Sequence, residues 1–327
     1  MVTAVGRIGE PVAVMGGGTG TYALLRGLRR AIGEGLLTSI HSTADAGGSS
    51  RKLMDEYGLP LPMGDLRQGL VAQSRARRLW RDLFAYRFAA TEAATGLGGH
   101  SLGNLILRAL EDLNGGDLLA ALDDAEAILN TVGHVAPVAL AATTLCAELS
   151  DDSVVRGEDQ IDRRGLPEPS IRRVYLEPIP TVTPRARKAL ERASRIILGP
   201  GDLFTSIIPT LLVSGVTDAI ADADADVVYI VNLMTKRGET DNYKASDFVA
   251  QVANYLGREP DTVLVHTAGH RPERLAQYAA DGALPVEADL ERTRTLASRV
   301  ITGDFATEQH FIRHDADKVL AALWPGA

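Results

Sequence analysis

The sequence predicts an α/β protein, a three-layer Rossmann-like fold around a mostly parallel sheet. Two observations carry this: short apolar β-rich runs alternate with helix-like segments, and several of those runs end in glycine just before a helix. A third is size, since 327 residues with 45% hydrophobic content can bury one large core or two coupled ones. The whole of 1–327 is expected to form a single nucleotide-binding domain.

The first strand is PVAVM (11–15), followed by LLTSIHSTA (36–44), RIILG (195–199), VVYIVNLM (227–234), TVLVHTAG (262–269) and RVITGD (299–304). Runs this apolar suit strands buried on both faces. Between them, Leu24, Leu25, Leu28 and Ile32, then Phe248, Val249, Val252 and Leu256, recur at the spacing of one helix face. Residues 75–135 hold three consecutive helical patterns and are expected to form a helical insertion. The stretch 138–178, with turn residues at Asp151 and Asp152, predicts a small antiparallel excursion.

Composition excludes several classes. Thirty-four Lys and Arg against 42 Asp and Glu give a net charge of −8, which disfavours nucleic acid as a partner. The single cysteine, Cys146, lies in an apolar run and suits a buried structural thiol in a reducing, cytoplasmic setting. The start MVTAVGRIGE lacks the apolar core of a signal peptide, and no apolar run reaches spanning length, so no membrane insertion is expected.

The chemistry concentrates in glycine-rich strand ends. In PVAVMGGGTGT, Gly16, Gly17, Gly18 and Gly20 with Thr19 lead into a helix, where bare backbone admits a ligand and outward amides favour an anion. One helix-dipole contact contributes only ~0.3–1 kcal/mol, whereas each hydrogen bond to a charged group is worth about 1.5–3, so convergent amides must do most of the holding. The bland alternative is a tight strand-to-helix turn without a ligand. The spacing is neither G-x-G-x-x-G, because Thr21 stands at the last glycine position, nor a P-loop.

The second strand ends in Asp45, Gly47, Ser49, Ser50 and Arg51, a second polar loop expected to face the first. Asp45 suits ligand hydroxyls, a water-held metal or a simple turn cap. Asp65, in the loop LPMGDLR, is either an N-cap or a site carboxylate. Asn104 offers a donor and an acceptor to a base edge, and His100 is an acid, a base or a structural histidine. Gly199, Pro200, Gly201, Asp202 and Leu203 repeat the strand–glycine–helix device. Asn232, Lys236, Arg237, Glu239 and Tyr243 crowd a loop too polar for mere connection, and Tyr243 stacks on a ligand or packs as a lid residue.

The stretches GGGTG, ADAGGSS, MGDLRQGLVA, GHSLGN, GPGDLFTSIIP and NLMTKRGETDNYKASDFV together resemble the YvcK/CofD-like family, over nearly the whole chain. They are most similar to the YvcK branch, because of ETDNY followed by KASD. That resemblance implies a UDP-sugar-binding regulator, with UDP-N-acetylglucosamine the expected ligand, tied to gluconeogenic growth, cell shape and wall-precursor supply. It requires no cofactor and signals through a protein partner or homo-oligomer. The CofD branch implies instead transfer of a phospholactyl-type group from a GDP-activated donor to a deazaflavin with magnesium, for which Asp45 and Asp65 are the candidate carboxylates. By resemblance, Gly17, Gly18 and Thr19 border the diphosphate, Asn104 and Gly199 to Leu203 the nucleotide, and Asn232 and Tyr243 the sugar-proximal wall. The family usually writes Asp-Asp-Gly-Gly where this chain has Asp45-Ala46-Gly47-Gly48, which weakens magnesium-dependent transfer. Gln68 in place of Asn is a milder departure. No Ser-His-Asp set, Cys-His pair or confident metal cluster stands out.

Overall fold

Strand β1 (Val12–Met15) shows how the layers arise, because its four buried residues alternate between two cores. Val12 and Val14 pack with Leu24, Leu25 and Leu28 of the helix Gly18–Ala31 and with Val319 and Leu323 of the helix Ala316–Leu323. Ala13 and Met15 point the other way, into a cluster with Leu190 of the helix Pro184–Arg192 and Phe248, Val249 and Val252 of the helix Ala245–Leu256. The computed structural model describes residues 8–44, 61–89, 97–165, 169–309 and 311–326.

The remaining strands of the central sheet are β2 (Leu37–His41), β3 (His134–Pro137), β7 (Arg195–Leu198), β8 (Asp226–Ile230), β9 (Thr262–His266) and β10 (Arg299–Gly303). Their order is β10-β9-β8-β7-β1-β2-β3, and every neighbouring pair is parallel. Helices cover both faces, so the α/β fold with a mostly parallel sheet is the one the sequence predicts.

The antiparallel excursion is a separate three-stranded sheet of β4 (Thr144–Leu149), β5 (Val154–Arg156) and β6 (Ile171–Glu177), in the order β5-β4-β6. Cys146 is fully buried in β4. A two-stranded ribbon pairs β11 (Ala306–Thr307) with β12 (Arg313–His314).

Within 75–135 the structure has the helices Arg78–Ala85, Leu102–Leu113 and Leu118–Leu129, closed around Phe84, Leu107, Leu122 and Leu129. Strand β3 begins inside that stretch, at His134. It is four residues long and ends in Pro137, which an edge strand tolerates because it pairs on one side only. No alternating pattern of useful length announces it.

Candidate functional site

From β1 the chain winds outward through β2 to β3, and from β7 through β8 and β9 to β10 in the other direction. The winding therefore reverses between β1 and β7, and at such a switch point the carboxyl ends of the two strands open a crevice. Both glycine-rich turns leave the sheet at this place.

The turns are packed against each other. The N–H of Gly199 donates to the Met15 carbonyl at 2.8 Å, and the Thr21 hydroxyl donates to the Pro200 carbonyl at 2.8 Å. A Cβ on Gly20 would stand 2.9 Å from the Pro200 oxygen, so this approach requires glycine. Gly18, the first residue of its helix, has φ 68°, in the region L side chains avoid. Asn232, just past β8, donates from Nδ2 to the Gly201 carbonyl at 2.9 Å. Its buried Oδ1 has no hydrogen-bond partner among the described residues.

The first turn does not present bare amides alone. Asp65 reaches across from the helix Gly64–Gln73, and its Oδ1 accepts from the Gly18 N–H at 3.1 Å. A Cβ on Gly17 would lie 2.0 Å from the Asp65 Oδ2. The N-cap of that helix is Met63, without a side-chain cap, so Asp65 does not cap its own helix. It stands at the amide of a helix start, where negative charge is favoured.

His41, at the end of β2, holds the turn from the other side. Its Nδ1 lies 2.9 Å from the Gly16 carbonyl, which can only accept, so Nδ1 carries the proton. Nε2 then accepts from the Ser39 hydroxyl at 2.9 Å, and Ser39 Oγ accepts from Gln73 Nε2 at 3.0 Å. Complete burial lowers the His41 pKa to about 4, against a smaller raising effect of the Gly16 contact, so the ring is neutral. Gly69 makes room for it, since a Cβ there would be 2.5 Å from Nε2.

A cavity of about 520 Å³ opens beside the turns, lined on one side by Thr19, Gly20, Pro200, Gly201 and Asn232. Lys236 lies in its wall at the centre of three carboxylates. Its Nζ is 2.6 Å from Glu239 Oε1, 2.7 Å from Asp202 Oδ2 and 2.5 Å from Asp162 Oδ1. Burial would lower the Lys236 pKa, but Glu239, Asp202 and Asp162 outweigh it and hold the ammonium charged. Burial pushes the Glu239 carboxyl up, with Lys236 pulling back. Oxygens of the three acids lie within 4.8 Å of one another, the one group of described His, Cys, Asp and Glu side chains spaced for a metal ion. The ammonium sits among them.

The structure thus brings Gly16 to Gly20, Gly199 to Asp202, Asn232 and Asp65 to one crevice. Leu203 turns its side chain into the core, starting a π-helical turn Leu203–Ile207. Asn104 is buried, its Oδ1 accepting from Arg67 Nε at 2.9 Å, which links it to the helix that carries Asp65. Tyr243 is half-buried, edge-on to Phe204 at 6.3 Å and to Phe248 at 5.4 Å, and does not line the cavity. His100 is buried, with its N–H closing a turn onto Leu97. Asp45, Gly47, Ser49 and Ser50 lie outside the described residues.

Sequence reasoning singled out Lys236 and Glu239 only as polar loop residues and missed His41 and Asp162. It also missed Tyr278, Arg313 and His314, which line the far side of the cavity. No local signal marks these three, because they follow β9 and β10 in sequence and return to the crevice only through the tertiary fold.

Fold and strand-end geometry define a Rossmann-like α/β protein with a crevice at its topological switch point. The chain belongs to the CofD family, described as 2-phospho-L-lactate transferase CofD, whose pattern it matches over residues 12–306. It is 39% identical over 318 residues to the gluconeogenesis factor of Halalkalibacterium halodurans, covering 96% of each chain. Against the gluconeogenesis factor of Bacillus subtilis it is 39% identical over 315 residues, 95% of this chain and 96% of that one. Among solved structures it is similar to protein BH3568 of Bacillus halodurans, with a TM-score of 0.89 at 37% identity over 97% of this chain and 99% of that one. Among the described residues, no helix is long and apolar enough to cross a membrane.

Proposed function

We propose that the chain is a nucleotide-sugar-binding regulatory protein linked to carbon metabolism and wall-precursor supply, with a UDP-N-acetylglucosamine-like ligand. The observation that carries this reading is the pair of glycine-rich turns packed together at the switch point, opening on a cavity of about 520 Å³. Such crevices of α/β sheets are where nucleotides bind, with phosphate at the helix start. The names of the relatives, gluconeogenesis factor, support the metabolic link. In this reading Gly17, Gly18, Thr19 and Gly20 border the diphosphate together with Gly199 to Asp202, and the unpartnered Oδ1 of Asn232 awaits a donor from the ligand. The protein acts in the cytoplasm, through a partner or its own oligomer, without a required cofactor.

A second reading is a transferase moving a phospholactyl-type group from a GDP-activated donor to a deazaflavin, favoured by the description of the matching family. It would call on magnesium. Of its two candidate carboxylates, Asp65 is bonded to Gly18 and Asp45 lies outside the described residues. Calorimetry and thermal denaturation separate the readings: at a hundredfold excess over its dissociation constant, UDP-N-acetylglucosamine should add about 2.7 kcal/mol of stability. No stabilisation by that ligand, together with product formation from a GDP-linked acid and a deazaflavin, would replace the first reading by the second.

A further inference from the structure

At the other end of β1, where Pro11 and Val12 enter the strand, a second cavity of about 520 Å³ opens on the surface. One wall is the helix Pro184–Arg192. Ala186 and Leu190 of this helix are fully buried in the core, while Arg185, Lys188, Ala189 and Arg192, at i, i+3, i+4 and i+7, form the face that lines the cavity. Pro11 and Leu36 lie across from them.

The charges on this face are not equivalent. Arg185 is fixed by Asp123 and Glu126, and Glu126 also accepts from the Val135 N–H at 2.7 Å. Lys188 and Arg192 line the same cavity and form no ion pair among the described residues. These two unpaired cations stand one helical turn apart, beside apolar Pro11, Leu36 and Ala189. They are complementary to an anion with an apolar body. The volume falls within the roughly 300–1,000 Å³ of small-molecule sites.

We propose that this cleft is a second ligand site, taking a small amphipathic organic anion whose apolar body lies on Pro11, Leu36 and Ala189 and whose acid group lies between Lys188 and Arg192. The site is independent of the crevice at the glycine turns, yet one strand joins them. β1 spans four residues, roughly 13 Å, and its far end is the Gly16 turn. An occupant of the cleft therefore bears on the element that carries the first turn, which is where an effector of a regulatory protein would act.

The probe for the test is 8-anilino-1-naphthalenesulfonate, an apolar aromatic body with a single acid group, followed by its fluorescence on the full chain. A saturable site is expected, weakened at least tenfold by the exposed double substitution K188E/R192E and by A189W, which fills the cleft. Saturating UDP-N-acetylglucosamine should not displace the probe, and the sedimentation mass should be the same for parent and double variant. Parent-like probe binding in both variants would overturn the proposal. Competitive displacement by UDP-N-acetylglucosamine would also overturn it, by placing the anion at the glycine turns. A change of mass in K188E/R192E would do so as well, because it would make the cleft an interface between copies. Since the probe test does not require the glycine crevice to bind anything, its outcome is separate from that of the proposed function.

Discussion

Lowering the pH from 7 to 5 should cost this protein several kcal/mol through two buried histidines, and His41 is the informative one. In the folded state burial keeps His41 neutral, with Nδ1–H donating to the Gly16 carbonyl and Nε2 accepting from the Ser39 hydroxyl. Its pKa falls from 6.5 to about 4 on burial. His314 shifts equally far for the same first reason, its Nε2 donating to the Val231 carbonyl at 3.1 Å. A histidine with a depressed folded pKa leaves the unfolded chain binding more protons between those two values. Its contribution to stability is therefore present above pH 6.5, declines as pH falls, and is gone below about pH 4. Linkage across that interval makes each histidine cost about 2 kcal/mol at pH 5, and the pair about 4.

Urea denaturation at half-unit steps between pH 7 and 5 measures this directly. Replacement of His41 by Gln keeps a polar side chain but cannot titrate. It should lower stability at pH 7 by about 1–3 kcal/mol for the disturbed buried hydrogen bonds, and it should remove about one proton from the pH slope. A variant that retains the full slope of the parent would show that His41 does not titrate across the transition, and the neutral-relay argument would be wrong. Of the other groups, His266 is lowered by burial and acts in the same direction, while His134, raised by its bond to Glu126, and Glu239, raised by burial, act in the opposite one.

Further expectations concern the crevice and its walls. Asp65→Asn removes a negative charge from the Gly18 amide, so a diphosphate ligand should bind about tenfold more tightly by calorimetry, as expected for relief of one close like-charge contact. Weaker binding would make Asp65 a ligand-holding group instead. Lys236→Met strands Asp162, Asp202 and the buried Glu239 without their shared cation and should cost on the order of 3 kcal/mol in denaturant titration. An additional Glu239→Gln change should recover part of that loss. Tyr243→Ala should lower stability by about 2–3 kcal/mol, because the ring packs on Phe204 and Phe248, and a melting temperature equal to the parent's would return the tyrosine to the role of a surface lid.

What was legible in the sequence follows from whether a requirement is local. β1, β7, β8 and β9 are buried on both faces and therefore read as apolar runs, and the glycines after β1 and β7 announce themselves because close backbone packing tolerates no Cβ. β3 has four residues and a terminal proline, too little to carry a period. His41 owes its role to the Gly16 carbonyl, to Ser39 with Gln73 behind it, and to the missing Cβ of Gly69, and of these only Ser39 is visible from the run LTSIH. Asp162 meets Lys236 across 74 residues, and no spacing rule reaches that far.

The same distinction bears on the glycine turns. Strand-end glycines suggest open amides for an anion, but an amide at a helix start inside a folded chain does not wait without a partner if a carboxylate can reach it. Asp65 reaches Gly18, so the turn already holds an anionic group of the protein's own. A diphosphate entering the crevice must displace or share that carboxylate. Its affinity is then set by the difference between two charge-assisted contacts and not by the strength of one, which is why the substitution at Asp65 tests the phosphate-binding argument more directly than removal of any glycine.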